Sequence, residues 1–91
     1  MPETGAKKGI QMAKLRVKFT FPPELVTEPV IYSLGKQFNV VTNIRRANVT
    51  RDRGWVVLEL DGSEEDIQRG IDWVTSKGVR VDPISGDVIE G

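Results

Sequence analysis

Neither cysteine nor histidine occurs in this chain of 91 residues. The first absence excludes disulfides, thiolate metal sites, cysteine nucleophiles and an iron–sulfur cluster held by this chain. The second removes the usual transition-metal ligand and the side chain that titrates near neutral pH, so acid–base chemistry would need a strongly shifted carboxylate or lysine. Ser33, Ser63, Ser76 and Ser85 have no imidazole to activate them, which excludes a Ser-His-Asp triad. Gly35-Lys36 lacks the glycine-rich loop of a phosphate site. Long apolar runs are missing as well. The longest, Trp55 to Leu58, is far short of the ~20 residues that span a bilayer. Met1 to Ala13 has no apolar stretch behind its lysines and does not read as a secretory signal. The expectation is a cytoplasmic protein that binds and is not an enzyme, with no metal or other cofactor and no membrane partner.

An excess of charge of one sign is also absent: thirteen basic side chains balance thirteen acidic ones. Lys14 to Gly62 holds eight basic and five acidic residues, and Ser63 to Gly91 three and seven. This small asymmetry is far from the basic excess of a dedicated nucleic-acid binder.

What the chain does have is periodicity. A hydrophobic content of 38% suits one small globular domain with a modest core. Residues 1–13 show no pattern and read as a flexible leader. From Lys14 onward, Leu15, Val17, Phe19 and Phe21 alternate with Lys14, Arg16, Lys18 and Thr20, the signature of a strand with one buried face. Pro22-Pro23 stops it. Thr27 is the expected helix N-cap, with Glu28 at the positive end of the dipole and Pro29 in the first turn. Val30, Ile31, Leu34 and Phe38 then form one apolar stripe ending near Phe38.

A second strand is expected from about Val40 to Thr50. Val40, Thr42 and Ile44 share one parity, and Ala47 and Val49 the other. A β-bulge near Arg45-Arg46 would reconcile them. Arg51-Asp52-Arg53-Gly54 reads as the hairpin turn, with the glycine available for positive φ. Val56, Leu58 and Leu60 alternate in a third strand. Ser63-Glu64-Glu65-Asp66 is a helix start whose three acids are explained by the dipole and need no metal. Ile67, Gly70, Ile71 and Val74 continue at helical spacing with Trp73 alongside, and Lys77-Gly78 ends the helix. Val79 and Val81 form a short last strand before Pro83, and residues 85–91 read as a polar tail. The order predicts an α+β, ferredoxin-like βαββαβ domain over residues 14–84, a four-stranded antiparallel sheet with two helices on one face and the first and third strands central.

The uncovered face should carry Arg16, Lys18, Thr20, Trp55, Val57, Glu59, Arg80 and Asp82. A tryptophan among basic residues on an open sheet suggests base stacking. Phe19 and Phe21 point the other way, however, and leave Trp55 as the face's single aromatic, so no nucleic-acid partner is expected. Trp55 and Val57 are better candidates for an interface with a second copy or another protein, with the backbone edge of the second strand as a further contact. Asn43 is a polar amide inside a strand-forming run. It can be satisfied by neighbouring backbone, or its combined donor and acceptor can hold the carboxylate or ammonium of an amino acid.

Several stretches, in this order and spacing, resemble the NIL domain family. They are Phe19-Thr20-Phe21-Pro22-Pro23-Glu24, Glu28-Pro29-Val30-Ile31-Tyr32, Phe38-Asn39-Val40-Val41, Thr42-Asn43-Ile44-Arg45-Arg46-Ala47, Leu58 to Ile67, and Gly78-Val79-Arg80-Val81. The likeness covers roughly Lys14 to Ile84. The Asn-Ile-Leu signature stands here as Asn43-Ile44-Arg45, with its third member changed. The resemblance implies a ferredoxin-like fold similar to the ACT class of amino-acid sensors. It also implies a regulatory role, since such domains end methionine-importer ATPases, where they are thought to bind methionine and damp transport, usually as dimers, and they also precede ferredoxin-type cluster domains. By that likeness the chain would be a stand-alone NIL domain that senses a sulfur amino acid such as methionine, with Asn43 and Ile44 lining the site. The alternative is a protein-interaction or dimerisation module without a small ligand.

Overall fold

The computed structural model of the protein describes residues 11–26 and 28–84. Strand β1 runs Met12–Phe21, a 3-10 turn covers Pro23–Leu25, and helix α1 spans Val30–Phe38. Strands β2 (Val41–Val49) and β3 (Gly54–Ser63) form the hairpin, followed by helix α2 (Glu64–Ser76) and strand β4 (Arg80–Pro83). The sheet order is β2-β3-β1-β4, with every neighbouring pair antiparallel. This is the expected βαββαβ fold with β3 and β1 in the centre. β1 begins at Met12, two residues inside the stretch read as a leader, because Ala13 and Met12 continue the ladder against Gly62 and Ser63. The tail 85–91 and most of the leader lie outside the described residues.

Alternation builds the core. Val17, Phe19 and Phe21 from β1 and Val56, Leu58 and Leu60 from β3 are buried beneath the helices. Val30 and Leu34 of α1 and Ile67 and Val74 of α2 close over them. Phe19 and Phe21, two residues apart and so on one face, meet edge to face with ring centroids 6.2 Å apart. Phe38 and Trp73 hold the two helices together at 5.7 Å. No polar or charged residue is buried among the described residues, so the core carries no desolvated charge.

The helix boundaries follow two different rules. Ser63 caps α2 by accepting a hydrogen bond from the Asp66 N–H at 3.0 Å, and Gly78 past its end adopts φ 105°, a left-handed conformation that favours glycine. At α1 the N-cap position is taken by Pro29, which makes no side-chain cap bond; Thr27, the expected cap, lies outside the described residues. Pro29 has φ −81° and ψ 59°, and the Val30 N–H donates to the Glu28 carbonyl at 2.8 Å. That is an inverse γ-turn feeding the helix. Asn39 ends α1 in the left-handed region, which a short polar side chain tolerates.

The bulge is where the parity switch demands it. Ile44 pairs with Leu58 and Arg46 with Val57, so Arg45 is the unpaired residue. Thr42, Ile44, Ala47 and Val49 therefore all share the helix-bearing face with Leu60, Leu58, Val56 and Gly54. The hairpin turn differs from expectation in one respect. Thr50 to Arg53 make it, closed by the Thr50 N–H donating to the Arg53 carbonyl at 2.8 Å and the Arg53 N–H donating to the Thr50 hydroxyl at 3.2 Å. Gly54 already belongs to β3, opposite Val49 and Phe21, and Gly78 is the glycine with positive φ among the described residues.

Candidate functional site

β2 is an edge strand that reaches beyond the cover of the helices. Asn43 stands opposite Glu59 on the open face, next to the ion pair in which the Arg16 guanidinium donates to the Glu59 carboxylate at 2.6 Å. The hydrogen bond from Arg16, together with its positive charge, lowers the Glu59 pKa below the ordinary value of 4.5, against the opposing effect of burial. Ile44 points to the opposite, helix-bearing face and is still 54% exposed. Successive strand residues face opposite ways, so the structure does not bring Asn43 and Ile44 to a common surface. Neither lines either of the clefts described next.

Trp55 and Val57 are half-buried on the open face, where the register sets them beside Thr20 and Lys18. The Lys18 ammonium lies 5.2 Å from the Trp55 ring centroid, a cation–π contact that covers part of the indole. Val41, on the same face, is 68% exposed.

A concavity with apolar walls and polar groups at its rim lies elsewhere, over the entry to α1. It has a volume of about 190 Å³ and is lined by Phe21, Val26, Glu28, Pro29, Val30, Ile31, Tyr32, Val49, Gly54 and Val56. Sheet, loop and helix each contribute. Phe21, Gly54 and Val49 form one row across β1, β3 and β2, the γ-turn at Pro29 lays Glu28 along the rim, and α1 begins directly above. Because Pro29 supplies no cap, helix geometry leaves the Ile31 and Tyr32 N–H groups without an intrahelical acceptor. These donors and the dipole favour an anionic group. The Glu28 carboxylate, half exposed and 3.9 Å from the Lys77 ammonium, offers a counter-charge for a cation. One apolar cleft thus has an anion-preferring and a cation-preferring side.

A second, broader depression of about 300 Å³ sits at the other end of β1, lined by Ala13, Lys14, Leu15, Glu64, Ile67 and Gln68. There the first turn of α2 is already capped by Ser63, and the Glu64 N–H donates to the Gln11 carbonyl at 2.8 Å. No group of three or more acidic residues among the described residues is arranged to hold a metal ion.

The cleft over α1 escaped the sequence because its lining is spread along the chain from Phe21 to Val56 and comes from separate elements. The local signal was Glu28-Pro29 followed by the stripe of α1, which reads as ordinary helix entry.

The NIL domain family model matches residues 15–83. The chain belongs to the NIL domain family. Over 73 residues it is 29% identical to the methionine import ATP-binding protein MetN of Bacillus subtilis (strain 168), a match that takes in 76% of this chain. The chain spans about a fifth (21%) of that relative's length. The C-terminal domain of an ABC transporter / ATP-binding protein from Enterococcus faecalis superposes with a TM-score of 0.69 at 21% identity, covering 80% of this chain and 86% of that one. This second likeness establishes the fold of the NIL domain described above. No helix among the described residues is long and apolar enough to cross a membrane.

Proposed function

We propose that this NIL domain is a cytoplasmic regulatory module that binds a sulfur-containing amino acid, methionine being the first candidate, and leaves it chemically unchanged. The observation that carries the reading is the cleft over α1. Its volume of about 190 Å³ is small against the roughly 300–1,000 Å³ of drug-sized sites and suits a single amino acid. The ligand's carboxylate takes the uncapped N–H groups of Ile31 and Tyr32, its ammonium takes Glu28, and its side chain enters the apolar space between Phe21, Val30 and Val56. Methionine as the ligand draws on the relative named for methionine import and on the fit of a flexible thioether to an irregular apolar cleft.

A thermal-shift and calorimetry panel of amino acids tests this. A ligand at about 100 times its dissociation constant adds about 2.7 kcal/mol of stability, so methionine should raise the melting temperature and aspartate should not. Glu28→Gln should weaken methionine binding. Asn43→Ala is the discriminating variant. If it abolishes binding while Glu28→Gln does not, the ligand sits on the open face of β2. If no amino acid stabilises the protein, the reading is wrong.

A second reading, a protein-interaction or dimerisation module, is favoured by Trp55 and Val57, half-buried on the open face of β3. Apolar side chains on a sheet face that no helix covers are a natural contact for a partner. Sedimentation of the wild type against Trp55→Ser tests its homodimer form, which a monomeric wild type would remove.

A further inference from the structure

Gly54 occupies a position where neither the backbone nor the core requires glycine. It is the first residue of β3, it is buried, and its φ is not in the left-handed region. It shares the helix-bearing parity of Val56 and Leu58, so a side chain there would point under α1. Its cross-strand neighbours on that face are Val49 on β2 and Phe21 on β1, and all three line the cleft. A Cβ built on Gly54 would meet Val49 first, at 3.4 and 3.5 Å from the two γ-methyls and 3.7 Å from the Cα. These are ordinary van der Waals distances. The protein itself could hold an alanine here, and what that methyl would remove is space between Val49 and Phe21.

We infer that Gly54 is the floor that sets how far a ligand's side chain can reach, and that the cleft therefore selects amino acids with an unbranched apolar side chain. The inference rests on the reading of this cleft as the amino-acid site. With the ligand's charged groups at Glu28 and the first turn of α1, an unbranched chain can pass between Val49 and Phe21 to the glycine. A chain branched at Cβ meets these two flanks before it reaches the floor, and a shorter chain leaves the gap unfilled. A thioether and its all-carbon counterpart of equal length, norleucine, satisfy the same geometry, so shape and not sulfur chemistry governs acceptance.

Calorimetry with methionine, norleucine, alanine and isoleucine on the wild type, Gly54→Ala and Val49→Ala tests the inference. Wild type should prefer methionine and norleucine to the other two. Gly54→Ala should melt at or above the wild-type temperature yet lose methionine affinity by roughly 10- to 200-fold, the effect of one methylene in an apolar pocket. Val49→Ala removes an exposed side chain from the flank of the slot and should narrow the gap between isoleucine and methionine. Wild-type methionine affinity in Gly54→Ala, or an unchanged ligand ranking in Val49→Ala, overturns the role of Gly54 while leaving the cleft as the site. Absence of any amino-acid binding by the wild type overturns both. Should Gly54→Ala melt well below wild type, the Val49→Ala ranking decides alone.

Discussion

Gly70 of α2 and Leu34 of α1 occupy space that a single added carbon would contest: a Cβ on Gly70 would lie 2.5 Å from the Leu34 Cδ1. Leu34 is fully buried, so it has no free direction in which to move. The helices approach closely here because glycine presents no side chain between them, with Phe38 next in contact at 3.7 Å.

Gly70→Ala should therefore destabilise the protein although alanine is the better helix former. The propensity gain is about 1 kcal/mol, whereas forcing a methyl group into a packed interface costs about 1–3 kcal/mol. A net loss of up to about 2 kcal/mol lowers the melting temperature by up to roughly 16 °C in a domain of this size. An unchanged or higher melting temperature would show that the helices can separate freely.

Leu58 is the central residue of β3, fully buried and paired to both neighbouring strands, at Val17 and Ile44. Leu58→Ala should cost about 2–5 kcal/mol through lost transfer energy and the cavity left behind. Urea unfolding measures it, and a shift of midpoint without a change in slope would confirm a native-state effect.

Ser63→Ala removes the one side-chain acceptor at the start of α2 and should cost about 0.5–2 kcal/mol, while Ser63→Asp should restore most of it. Loss in both variants would mean that the hydroxyl acts elsewhere than at the Asp66 N–H.

The Arg16–Glu59 pair predicts a pH dependence of definite sign. The folded protein holds the Glu59 pKa below its ordinary value through the hydrogen bond and charge of Arg16. A depressed carboxylate contributes stability above its unfolded pKa and loses it as pH falls through the folded value. Glu59→Gln should therefore be less stable than wild type near pH 7, and the gap should close as pH drops below about 4.5. Unfolding curves at pH 7 and pH 3 test this; a constant gap would assign the effect to packing.

Fold and site were legible to different degrees, for physical reasons. The strict alternation of β1 and the stripe of α1 named the buried faces correctly, because both depend on a local period. Even the bulge was readable, since Ile44 and Ala47 cannot share a face without one extra residue between them. Local spacing failed where one position had two possible uses. Gly54 sits beside a charged turn and looks like turn chemistry, but its place in the ladder is fixed by Phe21 and Val49. Asn43 and Ile44 are adjacent in the signature and diverge in space because they are consecutive residues of a strand. The cleft over α1 depends on β1, α1 and β3 meeting, which no window of sequence contains.

The unpaired Arg45 has a consequence for life at high concentration. A sheet whose last ribbon ends in free amides and carbonyls is a template on which further chains can stack into fibrils. The extra residue breaks the repeat of that ribbon midway, and in an in-register parallel stack the guanidinium groups of Arg45 and Arg46 would face their own copies. The strand bordering the cleft is thus a poorer template for such stacking than a regular ribbon would be.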